Sequence, residues 1–225
     1  ALKMLRGKPG THSYGFSKHA DYKIELGNKN YFAIRQNGDH LADLKLSVFG
    51  NHNILNATAA AVMAMRFGIP PDTVAKRLTS FKGVARRMQL IPSKKYIIID
   101  DYGHHPTEIK ATLLAIRKQN PKAHITAVFH PHTFTRTKAL LKDFGKAFQD
   151  VNLTLVLDIY PSAREIAGGV HSEDVMRELA KNKSKAVYTP TIPDAAKYIK
   201  RHIPKGSVIV TIGAGNVWQL CEMIK

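Results

Sequence analysis

Alternating apolar and polar positions dominate the first fifty residues. Short runs of β-branched, aromatic or alternating apolar residues, separated by turn residues, predict four strands: Ser13–Phe16, Tyr22–Leu26, Tyr31–Gln36 and Leu41–Phe49. Asn37 and Gly38, between two alternating runs, are typical of a hairpin turn. The pattern changes at Gly50. An Ala-rich, mostly apolar stretch then predicts a buried helix over Asn53–Phe67, and a second helix follows from Pro70 to about Ser80.

From Tyr96 onward, apolar runs alternate regularly with helical stretches. The predicted strands are Tyr96–Asp100, Ile125–Phe129, Leu153–Asp158, Ala186–Tyr188 and Ser207–Ile212. The predicted helices are roughly Thr107–Lys118, Arg136–Gln149, Ser172–Asn182, Pro193–Arg201 and Val217–Lys225. Strands that are apolar on both faces and alternate with helices indicate a Rossmann-like, mostly parallel, doubly wound α/β sheet. We divide the chain near Pro92–Ser93, into an α+β piece over 1–92 and a complete doubly wound domain over 93–225.

Charge and cysteine content narrow the classes of function. The 225 residues contain 34 Lys and Arg against 17 Asp and Glu, which gives a formal net charge of +17. Such a charge indicates nucleic acid, an anionic substrate or a solvated Lys-rich surface. The single cysteine, Cys221, excludes a disulfide framework and a Cys-x-x-Cys metal site, and it favours a reducing compartment. Because no apolar run is long enough to span a bilayer, we expect a cytoplasmic α/β protein with no membrane partner.

The carboxyl ends of the predicted parallel strands are where ligands bind in such a sheet. This rule selects four loops, over 100–107, 130–136, 158–169 and 213–216. The first loop combines two carboxylates with two imidazoles, which could bind a metal, orient a sugar or contact phosphates. Adjacent residues of an extended segment point to opposite faces, so the spacing disfavours a single site that uses both His104 and His105. The alternative is that Asp100 caps locally and that Thr107 begins a helix whose N-terminus Glu108 stabilises.

The loop over 130–136 contains His130, His132 and Arg136. Thr135 is a plausible N-cap, which would place Arg136 at the start of a helix, where a guanidinium and backbone N–H groups bind carboxylate or phosphate. A solvated basic turn is the alternative. Of the other two loops, Ser162-Ala163-Arg164-Glu165 indicates no function, and Gly213-Ala214-Gly215 predicts a tight strand-to-helix turn, not a dinucleotide-binding fingerprint.

Two features of the first ninety residues carry candidate chemistry. Asn53 and Asn56 are three residues apart, so they share a helix face where their amides suit a purine edge, unless one of them is simply an N-cap. Arg86 and Arg87, close to the predicted domain boundary, are placed to meet phosphates, although a solvated pair of arginines is common.

Five segments, in order along the chain, together resemble the Mur ligase family of ATP-dependent, amide-forming enzymes of peptidoglycan synthesis. They are GNHNILNATAAA, FKGVARRM, IIDDYGHHPTEI, HPHTFTRTKALLKDF and GSVIVTIGAGNVW. The first two mark the wider family. The segment DDYGHHPTE followed by PHxxTRT is characteristic of the branch that adds L-alanine to UDP-N-acetylmuramate. Murein peptide ligase, which reuses cell-wall tripeptide, shares an Asp-Asp-aromatic-x-His-His-Pro-Thr segment and is the alternative branch.

The resemblance implies a role for each matching residue. The implied ATP-binding residues are Asn53 and Asn56 at the adenine, Arg87 at the phosphates and Asp101 at the ribose. The implied substrate-binding residues are Tyr102, His104 and Arg136, and the implied catalytic residues are Arg87, Asp101 and His104. The implied reaction converts the muramyl carboxylate to an acyl phosphate that the amine of L-alanine attacks, with Mg²⁺ sharing the phosphate charge. The resemblance implies no metal ligand in these residues.

The chain departs from the family pattern in three places. Thr133 stands where the family usually has Arg, and Asn216 stands where Gly-Ala-Gly is usually followed by Asp. No phosphate loop of the form Gly-Lys-Thr or Gly-Lys-Ser occurs in the 225 residues. We therefore expect residues 1–92 to correspond to the last part of the central ATP-binding domain and 93–225 to the C-terminal domain, with no activity by themselves.

Two other classes of function stay open at this point. A basic nucleic-acid-binding module would account for the net charge, although the sequence has no RNP-type or helix-turn-helix signature. A metal hydrolase could use the histidines of the two strand-end loops, namely His104, His105, His130 and His132.

Overall fold

The structure is a computed structural model that describes residues 10–162, 165 and 168–225. The chain divides after Gly83 into two compact units, and each unit has its own apolar core. In the part of the chain that the structure describes, no helix is long and apolar enough to span a bilayer.

The first unit is a small sheet with two helices. Its elements are β1 (Tyr14–Gly15), β2 (Tyr22–Leu26), β3 (Tyr31–Gln36), β4 (Asp39–Lys45), α1 (Asn51–Arg66) and α2 (Pro71–Ser80). The strands lie in the order β1-β2-β3-β4, with β1 parallel to β2 and the other pairs antiparallel. Asn37 and Gly38 have φ values of 53° and 97°, both positive, as a two-residue hairpin turn of type I′ requires. The predicted hairpin is therefore confirmed.

The core of the first unit forms because alternate strand residues face the helices. Ile24, Phe32 and Ile34 are buried with the apolar face of α1. The helix begins two residues earlier than predicted, because Gly50, with a φ of 96°, is its N-cap. Asn53 is therefore not an N-cap, and its side-chain amide donates to the carbonyl oxygen of Phe49 at 2.6 Å.

The second unit is a six-stranded sheet covered by helices. Its strands are β5 (Gln89–Ile91), β6 (Ile97–Asp101), β7 (Ile125–Phe129), β8 (Leu153–Val156), β9 (Ala186–Tyr188) and β10 (Val208–Ile212). Its helices are α3 (Pro106–Gln119), α4 (Phe134–Ala139), α5 (Leu141–Ala147), α6 (Ser172–Lys181), α7 (Ile192–His202) and α8 (Gln219–Ile224). The strand order is β5-β6-β10-β7-β8-β9, and only β5 is antiparallel to its neighbour. The predicted mostly parallel, doubly wound α/β fold is confirmed.

The central strand β10 shows why the predicted strands are apolar at consecutive positions. Val208, Val210 and Ile212 belong to a cluster with apolar residues of α3, α5 and α6. Ile209, between them, belongs to a second cluster with residues of α7 and α8. Both faces of the sheet are covered, so both sets of alternating side chains must be apolar.

The boundary between the two units lies nearer the N-terminus than the sequence indicates. We expected it near Pro92–Ser93, whereas the chain divides between Gly83 and Val84. The reason is β5, which pairs antiparallel with β6 and so belongs to the second sheet. Pro92 and Ser93 therefore lie in the connection between two strands of one sheet, not in a linker between units.

The predicted helix over Arg136–Gln149 is two helices, α4 and α5, which meet at Leu140 with a φ of −110°. The N-cap of α4 is Thr133 and not Thr135, because the Thr133 hydroxyl accepts the Arg136 backbone N–H at 3.3 Å. Arg136 is consequently the third residue of the helix, still within its first turn. No residue type in the sequence marks the break at Leu140.

Two adjacent leucines of α3 test this packing. Leu113 is fully buried against the sheet, whereas Leu114 is 39% exposed. Leu113→Ala is expected to lower the free energy of unfolding of the second unit by about 2–5 kcal/mol, because it leaves a cavity. Leu114→Ala, the matched control, is expected to lower it by about 1 kcal/mol or less. The only tryptophan, Trp218, lies in the second unit, so denaturant titration followed by its fluorescence measures both values. Equal losses would contradict the assigned register of the helix.

Candidate functional site

The carboxyl ends of β6, β10, β7 and β8 lie next to one another along one edge of the second sheet. Because these four strands are parallel, the segments that follow them, beginning at 102, 213, 130 and 157, are all on that edge. The loops that the sequence singles out are therefore neighbours in space. We call this edge, with its loops, the strand-end edge.

A buried ion pair fixes the centre of the strand-end edge. The Arg86 guanidinium donates through Nε to Asp100 Oδ2 at 3.1 Å and through Nη2 to the carbonyl oxygen of Gly213 at 2.7 Å. The Thr211 hydroxyl donates to the other oxygen of Asp100 at 2.6 Å. Asp100 is only 2% exposed, so its charge needs these partners. Asp100 is therefore not a local cap, and the N-cap of α3 is His105.

The neighbouring carboxylate, Asp101, orders the backbone around it. Its two oxygens accept the backbone N–H groups of Gly103 at 2.7 Å and Met88 at 2.9 Å. A Cβ atom on Gly103 would lie 2.6 Å from Asp101 Oδ1, so this approach requires glycine. Asp101 itself is 3% exposed. Its predicted contact with a ribose stays a prediction.

Three of the predicted site residues, Arg87, Tyr102 and His104, lie together. The Arg87 guanidinium carbon is 5.5 Å from the centre of the Tyr102 ring, and the His104 ring meets that ring edge-on at 5.6 Å. Arg86 approaches the same ring at 5.0 Å, and its carbonyl oxygen accepts the Tyr102 N–H at 2.6 Å. Tyr102 is thus a platform for both arginines, a favourable cation–π geometry.

His104 and His105 have separate environments, as their adjacency predicts. The His105 ring accepts the Thr107 N–H at 3.3 Å and caps α3. Glu108 completes the cap, since its Oε2 accepts the backbone N–H groups of His104 at 3.1 Å and His105 at 3.2 Å. Burial alone would raise the pKa of Glu108, but these N–H groups, with the His104 and Arg87 charges, hold that pKa below its usual value. Glu108 therefore stays ionised 4.0 Å from Arg87.

Tyr160 organises the loop that follows β7. Its backbone N–H donates to the Pro131 carbonyl oxygen at 2.8 Å, and its own carbonyl oxygen accepts the Thr133 N–H at 2.9 Å. Its ring stacks on His132, with centroids 5.6 Å apart and planes 16° from parallel. Arg136 Nη1 lies 3.3 Å from the His132 carbonyl oxygen, so the same loop also holds the predicted anion-binding arginine.

His130 also packs against Tyr160. Its ring meets the Tyr160 ring edge-on at 5.3 Å, and it is 7% exposed. A Cβ atom on Gly215 would lie 3.1 Å from the Tyr160 ring and 3.3 Å from His130 Nδ1. Burial, helped by the nearby His132 and opposed by Asp158, lowers the pKa of His130 to about 4. Among the described residues, neither His130 Nδ1 nor Asn216 Oδ1 has a hydrogen-bond partner.

Glu165 reaches the same loop from the segment that follows β8. Its carboxylate accepts the backbone N–H groups of Phe134 at 2.8 Å and Thr135 at 2.7 Å, together with the Thr135 hydroxyl. The Thr135 hydroxyl is the main cause that lowers the pKa of Glu165, the backbone N–H groups lower that pKa further, and burial opposes them. Ala163 and Arg164, which precede Glu165, lie outside the described residues.

Sequence reasoning missed several of these groups. The segment that contains Glu165 is assigned no function from the sequence, and Tyr160 is not named there, although an aromatic residue shortly after a strand end is a usable signal. Arg86 was grouped with Arg87, whereas only Arg86 binds the buried Asp100. Asn53 and Asn56 lie on α1 in the first unit, where Asn56 is exposed. Their predicted adenine contact stays a prediction.

The metal-hydrolase alternative receives no support from the geometry. The part of the chain that the structure describes contains no group of three or more His, Cys, Asp or Glu side chains that could hold a metal ion. His105 caps a helix and His130 is buried against Tyr160, so the four histidines named above do not form one cluster.

Comparison with known proteins matches the sequence of this chain to one family. A family model described as Mur ligase, glutamate ligase domain, matches residues 86–215, more than half of the chain. Two proteins named UDP-N-acetylmuramate–L-alanine ligase are similar to this chain. The one from Geobacter sp. (strain M21) is 38% identical over 93% of this chain and 47% of its own length. The one from Koribacter versatilis (strain Ellin345) is 39% identical over 94% of this chain and 48% of its own length. The chain spans about half the length of the curated relatives it matches.

Solved structures agree on the fold. A UDP-N-acetylmuramate–alanine ligase from Thermotoga maritima superposes with a TM-score of 0.78 at 25% identity, over 96% of this chain and 47% of that chain. A murein peptide ligase from Psychrobacter arcticus 273-4 superposes with a TM-score of 0.67 at 22% identity, over 94% of this chain and 46% of that chain. The second likeness shows a shared fold alone.

The adjacent arginines provide a matched test of the buried ion pair. Arg86→Met leaves the Asp100 carboxylate buried without its cation, and we expect it to lower the free energy of unfolding of the second unit by about 3–5 kcal/mol. Arg87 is half exposed and 4.0 Å from Glu108, so Arg87→Met should lower it by about 1 kcal/mol or less. Denaturant titration followed by Trp218 fluorescence measures both. Similar losses for the two variants would contradict the central role of Arg86.

His130 makes stability depend on pH in a defined window. An unfolded chain binds a proton on this imidazole below a pH of about 6.5, whereas the folded chain resists protonation down to about 4. Above a pH of about 6.5 neither state binds this proton, so His130 does not make stability depend on pH there. As pH falls from about 6.5 to about 4, only the unfolded state binds the proton, and the free energy of unfolding decreases by up to about 3 kcal/mol. His130→Gln should remove this loss, so the wild-type chain should lose about 3 kcal/mol more stability than the variant between pH 7 and pH 4. A parallel pH dependence of the two unfolding free energies would show that His130 titrates normally.

Proposed function

The chain belongs to the Mur ligase family, and from that premise we propose that it forms part of an ATP-dependent ligase that joins L-alanine to UDP-N-acetylmuramate. One observation carries this proposal beyond the family. Arg87, Tyr102 and His104 lie together near the end of β6, and Arg136 lies beside His132 in the loop after β7, on the same strand-end edge. The names printed for the two bacterial relatives support the choice of substrates.

We assign each group the step that its chemistry suits. Arg87, half exposed on the Tyr102 ring, would neutralise phosphoryl oxygens as the muramyl carboxylate attacks the γ-phosphate of ATP. Arg136, in the first turn of α4, would hold a carboxylate, and His104 with Tyr102 would face the amino acid. The amine of L-alanine would then attack the acyl phosphate and displace inorganic phosphate. Asn53 and Asn56 are proposed for the adenine of ATP, and Asp101 for its ribose.

Magnesium accompanies ATP in phosphoryl transfer, where it neutralises charge on the phosphate oxygens. The described residues include no cluster of metal ligands, so they do not fit a protein-bound ion of their own. We therefore assign no magnesium ligand in this chain and derive no step through the metal.

We further propose that these 225 residues do not catalyse ligation on their own. They include no Gly-Lys-Thr or Gly-Lys-Ser segment to cradle the ATP phosphates. On this proposal, the first unit corresponds to the last part of the central ATP-binding domain of the family and the second unit to its C-terminal domain. No specific observation favours either alternative, a tripeptide-recycling ligase or a nucleic-acid-binding module.

A chimera tests the function directly. The 225-residue chain is joined to the part of the Geobacter relative that it does not match, and phosphate release is measured with ATP, UDP-N-acetylmuramate and L-alanine. We expect turnover that requires all three substrates, and no turnover by the 225 residues alone. Turnover with cell-wall tripeptide in place of L-alanine would favour the recycling branch. Release that requires neither amino acid nor peptide would contradict the proposal.

The chimera also tests the role of Arg87. Arg87→Met should lower kcat by at least about 10²-fold, because a cation aimed at the developing charge is lost. Lys110→Met is the matched control, since it removes one positive charge from an exposed position of α3 in the same unit. The control should retain a rate close to that of the unmodified chimera. Equal losses in the two variants would show that Arg87 contributes only to net charge.

A further inference from the structure

We infer that His132 binds a substrate carboxylate or acyl oxygen through its Nε2–H group, with Arg136 fixing the tautomer of the ring and Tyr160 fixing its plane. His132 thereby joins the residues of the strand-end edge as a neutral hydrogen-bond donor. The identity of the oxygen as that of the muramyl group or of L-alanine rests on the proposed function, whereas the assignment of the donor does not.

The tautomer follows from the chemistry of the group that faces the ring. Arg136 Nη1 lies 3.5 Å from His132 Nδ1. A guanidinium has only donors, so Nδ1 must be the acceptor in this contact. In a neutral imidazole the other nitrogen then carries the proton, which makes Nε2–H the donor. The same Nη1 also donates to the His132 carbonyl oxygen at 3.3 Å, and this second bond keeps the guanidinium beside the ring.

The plane of the ring is fixed by stacking. His132 lies nearly parallel to the Tyr160 ring, 16° apart. Tyr160 cannot move away easily, because its backbone N–H and carbonyl groups bond Pro131 and Thr133 and because Gly215 packs against its ring. Tyr160 is therefore a positioning residue, which acts on the substrate only through His132.

Burial and the neighbouring positive charges favour the neutral form of the His132 ring. Burial is the main cause that lowers its pKa, and Arg136 and His104 lower that pKa further. The Glu165 charge raises the pKa of His132. The Glu165 carboxylate, however, accepts the backbone N–H groups of Phe134 and Thr135 in the first turn of α4. Among the described residues, no hydrogen bond occupies His132 Nε2. A donor of this kind stabilises negative charge as it develops on an acyl oxygen, without giving up its proton.

The experiment measures the tautomer of His132 in the 225-residue chain by ¹⁵N NMR of labelled histidine side chains. In the wild-type chain, we expect an unprotonated Nδ1 and a protonated Nε2 on His132. In Arg136→Met, we expect each His132 ¹⁵N shift to be an average over the two tautomers, because the guanidinium that donates to Nδ1 is gone. Tyr160→Phe, the matched control, keeps the aromatic stack and should keep the wild-type shifts. A proton on Nδ1 in the wild-type chain, or unchanged shifts in Arg136→Met, would overturn the inference.

Acetate is then added as the probe, with chloride at equal ionic strength as the control. We expect acetate to shift the His132 Nε2–H resonance and chloride to leave it unchanged. Equal responses to both salts, or no response to either, would overturn the assignment of His132 as a carboxylate donor. These outcomes are separate from the ligase assay. An acetate-specific shift with an inactive chimera contradicts the proposed function alone, and an active chimera with a proton on Nδ1 contradicts this inference alone.

Discussion

The buried ion pair between Arg86 and Asp100 is the interaction on which the strand-end edge depends. Asp100 lies at the end of β6, and Arg86 extends from the segment before β5 to reach both this carboxylate and the carbonyl oxygen of Gly213 after β10. One guanidinium thus joins three separate pieces of the second unit. The backbone carbonyl oxygen of Arg86 also accepts the Tyr102 N–H, so Arg86 positions the ring against which Arg87 packs. Removing Arg86 would leave the buried Asp100 carboxylate without its cation, which costs more than the pair itself contributes.

The acidic side chains of the strand-end edge are hydrogen-bonded to backbone N–H groups, and this explains how the edge can still attract anions. Asp101, Glu108 and Glu165 each accept two backbone N–H groups, so their charges order the loops. The half-exposed Arg87 and the partly buried Arg136 are held at stacked or capped positions nearby. Arg87 and Arg136 contribute to the formal net charge of +17. A nucleic acid partner is not needed to explain these two charges, because a local excess of positive charge suits phosphates and carboxylates.

Periodicity was enough to predict the sheet, because covered parallel strands must be apolar at consecutive positions, as Val208–Ile212 are. The hairpin at Asn37–Gly38 was equally readable, since both residues tolerate positive φ. The predicted boundary lay too far along the chain because β5 is only three residues long, so no apolar run marks it as a strand of the second sheet. The stack of Tyr160 on His132 joins residues 28 positions apart, and no local pattern encodes such a contact. The roles of Asn53, Asn56 and Asp101 rest on resemblance and remain predictions.

The two outermost strands of the six-stranded sheet, β5 and β9, are each only three residues long. An edge strand exposes unpaired N–H and carbonyl groups to which another chain can add, and this is a common start of aggregation. Short edges offer such a chain few places to attach, and Pro92, directly after β5, has no N–H to continue a ladder. The strands of highest apolar content are enclosed between them. The short edges of the second unit therefore disfavour pairing between its sheet and a sheet of another chain.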